Sequence, residues 1–214
     1  RLGETFSEIF EINKAFPLKL FETAISFNVL RFFNTDTILH PDINTYSLTK
    51  RYFSDWGKRM DTIKSIQFIN IRLDHFYGPG DNLSKFTTWV VESCIKNVPE
   101  IKLTWGEQKR DFIFIEDLVS AYKLILDQNM ESDNSYQNID FGSGKSITVR
   151  DFVETVHRLS DSSTKLFFGA LSYRTNEPMN NQMDIGLMNA IGWSPCYSLE
   201  KGLEKTLSYS KPFL

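Results

Sequence analysis

Residues 65–81 read SIQFINIRLDHFYGPGD, and this stretch decides the fold. Its first nine residues are rich in β-branched and aromatic side chains, and the turn-forming FYGPGD closes them. That is the pattern of a buried strand running into a loop. Immediately upstream, residues 46–60 carry helical periodicity, with Asn44 or Thr45 placed as an N-cap. Before them, residues 29–35 (VLRFFNT) form a second buried strand. It follows a run in which Phe6, Ile9, Phe10, Ala15, Leu18, Phe21, Ala24 and Ile25 recur at roughly helical spacing. Downstream, helices are predicted at 86–96, 116–128, 149–159, 183–191 and 199–209. Strands are predicted at 101–105, 110–115, 136–141 and 166–168, with a tight turn at 142–145. Strands alternating with helices imply an α/β fold whose parallel sheet is covered on both faces.

Composition bounds the function. The chain has 214 residues, is 41% hydrophobic and 24% charged, and carries a net charge of -3, enough for one sizeable core or a core plus a lobe. Its basic residues cluster only as pairs (Lys50-Arg51, Lys58-Arg59, Lys109-Arg110), which argues against nucleic acid as the main partner. No apolar run approaches the ~20 residues that a membrane span needs. Cys94 and Cys196 lie far apart and suit reduced thiols in a cytoplasmic protein. Together with the dispersed His40, His75 and His157 they show no metal-ligand spacing, so no metal site is expected. The chain opens without an initiator Met or a signal sequence, as expected of one that starts inside a fold.

Chemistry enters with YSLTK, residues 46–50. Tyr46 and Lys50 stand four apart at the start of a helix, so they project from one face. A phenol titrating near 10 is a poor acid at neutral pH, and an adjacent ammonium favours its phenolate. Spacing alone fits an amphipathic helix with a solvated Lys as well. Context adds weight: Thr35 ends the preceding strand and the YGPGD loop ends the next one. Both features belong at the carboxyl edge of a parallel sheet, where open α/β folds place ligands.

With these residues in view the sequence resembles the extended short-chain dehydrogenase/reductase family, the nucleotide-sugar epimerases, dehydratases and reductases. The resemblance rests on NTDT (34–37), YSLTK (46–50), RLDHFYGPGD (72–81), KRDFIFIEDLVSAY (109–122), IDFGSGKSITVRDFV (139–153) and IGWSPCYSLEKGL (191–203), in family order. Within the family it is most similar to the CDP-abequose and CDP-paratose synthases, which carry a like Asn-Thr-Asp stretch, a His in the YGPGD block and a GEQ-x-RDFIF strand.

The resemblance implies a Rossmann-type sheet with its N-terminal part absent and a small C-terminal substrate-binding lobe. Residues 1–81 would be the C-terminal part of the dinucleotide-binding domain. Residues 82–214 would be a mixed region that returns a strand near 136–141 to the sheet. It implies NADP or NAD as cofactor and a nucleotide-diphosphate sugar as substrate, a CDP sugar favoured, on a route to O-antigen and lipopolysaccharide. Tyr46 would protonate a keto oxygen, Lys50 would hold the nicotinamide ribose, and Thr35 would hydrogen-bond the same substrate oxygen. Tyr77 and Gly78 would pass beside the nicotinamide. His75, Lys85, Arg110 and Arg174 would contact the substrate, an Arg fork suiting phosphate oxygens. For His75, Lys85 and Arg174, packing or a solvated charge explains the residue about equally well. Asn13 matches a family position supporting the active-site water and Lys, and equally fits an ordinary surface-helix residue. Asp111 and Asp117 read as structural. The helix bearing Tyr52, Phe53 and Trp56 packs between subunits in relatives, so a homodimer is expected.

Two departures matter. Dehydratases of the family carry Asp-Glu after the catalytic Thr, whereas Asp36 is followed here by Thr37. That favours ketone reduction, with epimerisation as the runner-up. The family's GxxGxxG fingerprint occurs nowhere in these residues, a gap that two βα units of ~30 residues each would fill. A fragment of a longer enzyme is therefore expected, and a non-catalytic nucleotide-sugar-binding module is the competing reading.

Overall fold

The computed structural model describes residues 4–59, 66–128 and 135–210. The chain divides into two compact units, one of residues 1–73 and 127–141, the other of residues 74–126 and 142–214.

The first unit is built on a parallel sheet of order β1-β2-β6, with β1 at Arg31–Thr37, β2 at Gln67–Leu73 and β6 at Tyr136–Phe141. Side chains alternate across a strand, so residues in register share a face. One face carries three rows: Phe32-Phe68-Tyr136, Asn34-Asn70-Asn138 and Asp36-Arg72-Asp140. The aromatic row stacks, with ring centroids 5.6 and 5.7 Å apart. Phe21 from α2 (Phe16–Ser26) and Phe53 from α3 (Thr45–Arg59) close over it edge-on. Gly57 lets α3 lie down on this row, since a Cβ there would meet the Phe68 ring at 2.6 Å.

The two polar rows are bonded sideways. Asn70 accepts from Asn34 (2.7 Å) and donates to both Asp36 (2.9 Å) and Asn138 (2.9 Å), while Arg72 donates to Asp140 at 2.6 Å. Parallel sheets usually bury apolar runs on both faces. Here the cross-strand bonds satisfy the polar groups, which is what allows Asn70 to be 1% exposed.

The predicted first helix is α1 (Phe6–Phe10), a π-helical turn (Glu11–Ala15) and α2 in continuous succession. Pro17 has no N–H and cannot close an α-helical bond back to Asn13, and the widened turn falls just before it. Of the apolar side chains predicted along it, Phe21 is buried, whereas Phe6 and Phe10 are exposed.

The second unit holds a sheet of order β3-β5-β7 (His75–Tyr77, Lys109–Phe114, Ser146–Thr148) and a parallel pair, β4 (Glu100–Leu103) with β8 (Lys165–Phe168). Its core gathers Tyr77, Phe112, Phe114 and side chains of α4 (Phe86–Ile95), α6 (Val149–Ser160) and α8 (Leu199–Ser210). Helices α5 (Ile115–Asp127) and α7 (Gly186–Ala190) complete the unit. Strand β3 falls where the sequence reads as the start of a turn and β7 falls between the predicted turn at 142–145 and the helix at 149–159; both are held by pairing to the long-range partner β5. Asp111, fully buried, accepts from Ser143 N, Ser143 Oγ, Gly144 N and Met183 N, and Asp117 accepts from Cys196 N and Tyr197 N. Both are loop staples.

Candidate active site

In the first unit Lys50 and Thr35 meet near the carboxyl end of β1, and Tyr46 lies one helical turn before Lys50. Asn44 caps α3: its side chain accepts from Ser47 N at 2.9 Å, and Ser47 Oγ accepts from Asn44 N at 3.3 Å. This cap starts the helix one residue before Tyr46, so that Tyr46 and Lys50 occupy its first two turns. Lys50 Nζ donates to Thr35 O at 2.9 Å, tying the ammonium to the strand end, and Thr35 is exposed there. Asn13, in the π turn and 6% exposed, donates to Thr49 Oγ1 at 3.2 Å. The Thr49 hydroxyl donates in turn to the carbonyls of Thr45 (2.9 Å) and Tyr46 (3.0 Å). Asn13 is therefore a buried bracing residue, not a surface one, and it braces the turn that bears Tyr46. π turns recur at functional sites.

Asp36 is 6% exposed, with one carboxylate oxygen accepting from Thr37 N and the other from Asn70 Nδ2. Both of its oxygens are thus engaged as acceptors.

In the second unit a cavity of about 310 Å³ is lined by His75, Phe86, Trp89, Lys102, Thr104, Gln108, Arg110, Phe168, Arg174 and Glu177, among others. Arg110 is 4% exposed and donates to Lys109 O and Pro178 O, both at 2.7 Å, and to Glu177 Oε1. Arg174 is exposed at the rim of the same cavity. His75 Nδ1 lies 2.7 Å from Asp74 Oδ1. The cavity thus brings His75, Arg110 and Arg174 together. Lys85 stands apart from its lining, paired with Asp81 at 3.0 Å and lying 3.6 Å above the Phe76 ring.

Tyr77 and Gly78 have packing reasons of their own. The Tyr77 side chain is 3% exposed, its hydroxyl donates to Leu199 O, and burial pushes its phenol well above the usual range. A Cβ on Gly78 would meet Ile115 at 2.3 Å. Any cofactor contact from these two would come from backbone. Asp74 and Glu177 are the site residues that sequence reasoning passed over. Asp74 sits inside the quoted RLDHFYGPGD block beside His75, and Glu177 lies three residues after Arg174. An acid next to a singled-out base was the available signal.

Residues 7–139 match the family model described as the NAD dependent epimerase/dehydratase family. The chain belongs to that family. It is 36% identical over 199 residues to CDP-abequose synthase of Salmonella typhimurium, covering 89% of this chain and 66% of that protein. It is 32% identical over 209 residues to CDP-abequose synthase of Salmonella muenchen, covering 94% and 70%. Among solved structures it resembles UDP-glucuronic acid 4-epimerase from Bacillus cereus in complex with UDP-glucuronic acid and NAD. There the TM-score is 0.83 at 20% identity, over 99% of this chain and 71% of that one. At that identity the likeness bears on the fold alone, and it supports the α/β architecture expected of this family member. Among the described residues no helix is long and apolar enough to cross a membrane.

Proposed function

We propose that this family member takes part in the NAD(P)H-dependent reduction of a nucleotide-linked 4-keto-deoxy sugar, with a CDP sugar as the favoured substrate. The observation that carries the reading is the tie of Lys50 Nζ to Thr35 O at 2.9 Å. It fixes an ammonium, a hydroxyl-bearing residue and the Tyr46 turn at one strand end. These residues fit the nicotinamide-ribose end of the cofactor: an anchored cation, an exposed threonine and a phenol, all polar. When bound, the dihydronicotinamide supplies hydride to the carbonyl carbon. Tyr46 donates its proton to the carbonyl oxygen, Thr35 Oγ1 hydrogen-bonds that oxygen, and Lys50 offsets the charge left on the phenolate. Dehydration is disfavoured because Asp36, the residue an eliminating enzyme would use as acid, has both oxygens engaged by Thr37 N and Asn70.

In the second unit we assign the cavity to the nucleotide diphosphate. Arg110 and Arg174 supply planar donors suited to phosphate oxygens, and Trp89 and Phe168 offer apolar faces for a base. The reading of CDP rests on the two Salmonella relatives. We also infer a homodimer, because Tyr52 and Trp56 of α3 and Phe6 and Phe10 of α1 expose large apolar side chains on helices that pack on each other.

The test is incubation of the full-length protein with NADPH and a CDP-4-keto-3,6-dideoxy sugar. Stoichiometric NADPH consumption is expected, and Tyr46→Phe should lower kcat by about 10²–10⁴-fold, the usual worth of a positioned proton donor. Substrate turnover without net NADPH consumption would point to an epimerase. Sugar binding with no turnover of either kind would leave a binding module.

A further inference from the structure

The Asp74 side chain is 2% exposed. Its Oδ2 accepts from Asp111 N at 3.1 Å, and its Oδ1 accepts from His75 Nδ1 at 2.7 Å, so the carboxylate is anchored through both oxygens. The imidazole packs edge-on against Phe112, ring centroids 5.4 Å apart, which fixes its plane. A carboxylate can only accept, so Nδ1 carries the proton and Nε2 is the ring atom left for other chemistry. No described residue bonds Nε2, and the His75 side chain is 30% exposed on the lining of the cavity.

We propose that Asp74 and His75 form a dyad that makes diphosphate binding proton-linked, with Asp74 orienting the ring and the protonated Nε2 of His75 donating to a phosphate oxygen. This rests on the reading of the cavity as the nucleotide-diphosphate site. The charge balance supports it. Lys102 of β4, Arg110 of β5, the loop residue Arg174 and Glu177 line the same cavity, Asp74 lies against the ring, and α4 and α6 present only apolar side chains to the cavity. The two negative charges of a diphosphate diester beside Nε2 favour the imidazolium over the neutral ring. A neutral amide in this place could donate a hydrogen bond but could not take up the proton. Because the bound form is the more protonated one, the extra affinity is full at low pH. It is lost as pH rises through the range in which the bound imidazole releases its proton.

The probe is CDP-glucose, a diphosphate diester with no ionisation of its own near neutrality. Titration calorimetry at pH 7.5 in two buffers of different ionisation enthalpy should show uptake of a substantial fraction of a proton. Affinity should then fall with rising pH by up to about tenfold per unit, the limit for one linked proton. His75→Asn should bind CDP-glucose with no proton uptake and a flat pH profile, its fold checked by an unchanged melting curve. Asp74→Asn, which keeps an acceptor for Asp111 N, should reduce the uptake. Wild-type binding without proton uptake, or equal uptake by His75→Asn, overturns the dyad while leaving the nucleotide cavity standing. Unchanged uptake in Asp74→Asn removes Asp74 from it. If neither CDP-glucose nor inorganic pyrophosphate binds, the cavity assignment falls and the dyad with it.

Discussion

Replacing Asp111 by Asn tests whether a single buried carboxylate holds the second unit's loops together. In the wild type Oδ1 accepts from Ser143 N (2.6 Å) and Ser143 Oγ (2.7 Å), while Oδ2 accepts from Gly144 N (2.9 Å) and Met183 N (3.2 Å). An amide is nearly the same shape, but its NH₂ would face one pair of donors. With the amide oxygen kept on the Ser143 side, Gly144 N–H and Met183 N–H lose their acceptor and meet another donor. Each buried donor left unsatisfied costs about 1–3 kcal/mol. An opposing term exists: burial pushes the Asp111 carboxyl above its ordinary range, so removing the charge relieves part of a desolvation penalty. The donors win, because two lost bonds outweigh one partly compensated charge, and the net loss comes to about 3 kcal/mol. Space offers no escape, since a Cβ on Gly142 would already sit 2.4 Å from Met183 and 2.9 Å from Asp111 Oδ2. Differential scanning calorimetry of Asp111→Asn should show a Tm lowered by roughly 6–12 °C, at 2–4 °C per kcal/mol for chains of this size. A fall of less than about 2 °C would refute the staple, whatever happens to activity.

Two further outcomes are expected. The buried Tyr77 and half-buried Tyr136 phenols are both raised by burial, while an unfolded Tyr titrates near 10. Their stabilising contribution is complete below about pH 10 and is lost as pH rises toward their folded-state values, so Tyr77→Phe should flatten the fall in urea midpoint between about pH 9.5 and 11; an unaltered slope counts against it. Sedimentation velocity should give a dimer that Trp56→Glu converts to monomer, because that charge would be placed on the exposed apolar helix faces. A wild-type monomer at micromolar concentration would remove the proposed homodimer.

Much of the architecture could be read in advance, and the failures have physical causes. Strand β6 begins and ends where its aromatic and apolar residues do, at Tyr136 and Phe141. Strand β1 was expected at 29–35 because Val29 and Leu30 are apolar, yet both are exposed and the strand runs from Arg31 to Thr37. Asp36 lies inside it because Asn70, a residue of another strand, supplies its partner. No local pattern could show that. His75–Tyr77 reads as the start of a turn and becomes a strand only through Phe112–Phe114. The Tyr46 and Lys50 spacing was legible, but the brace from Asn13 through Thr49 depends on a widened helical turn 36 residues upstream. Of the basic members of the cavity, Arg110 and Arg174 stood out as charges and Lys102 did not. Of the acidic residues, Asp74 was legible beside His75, whereas Glu177 stood out only through its pairing with Arg110.

The polar rows across β1, β2 and β6 also bear on how this sequence can change. Asn70 serves Asn34, Asp36 and Asn138 at once, through one oxygen and one nitrogen. No apolar replacement at position 70 can leave those three neighbours satisfied, and a change at 34 or 138 alone leaves Asn70 with a surplus group. Substitutions here should therefore arrive together on three separate stretches of chain or not at all. That makes positions 34, 36, 70 and 138 a linked set, detectable as correlated changes when many related sequences are compared.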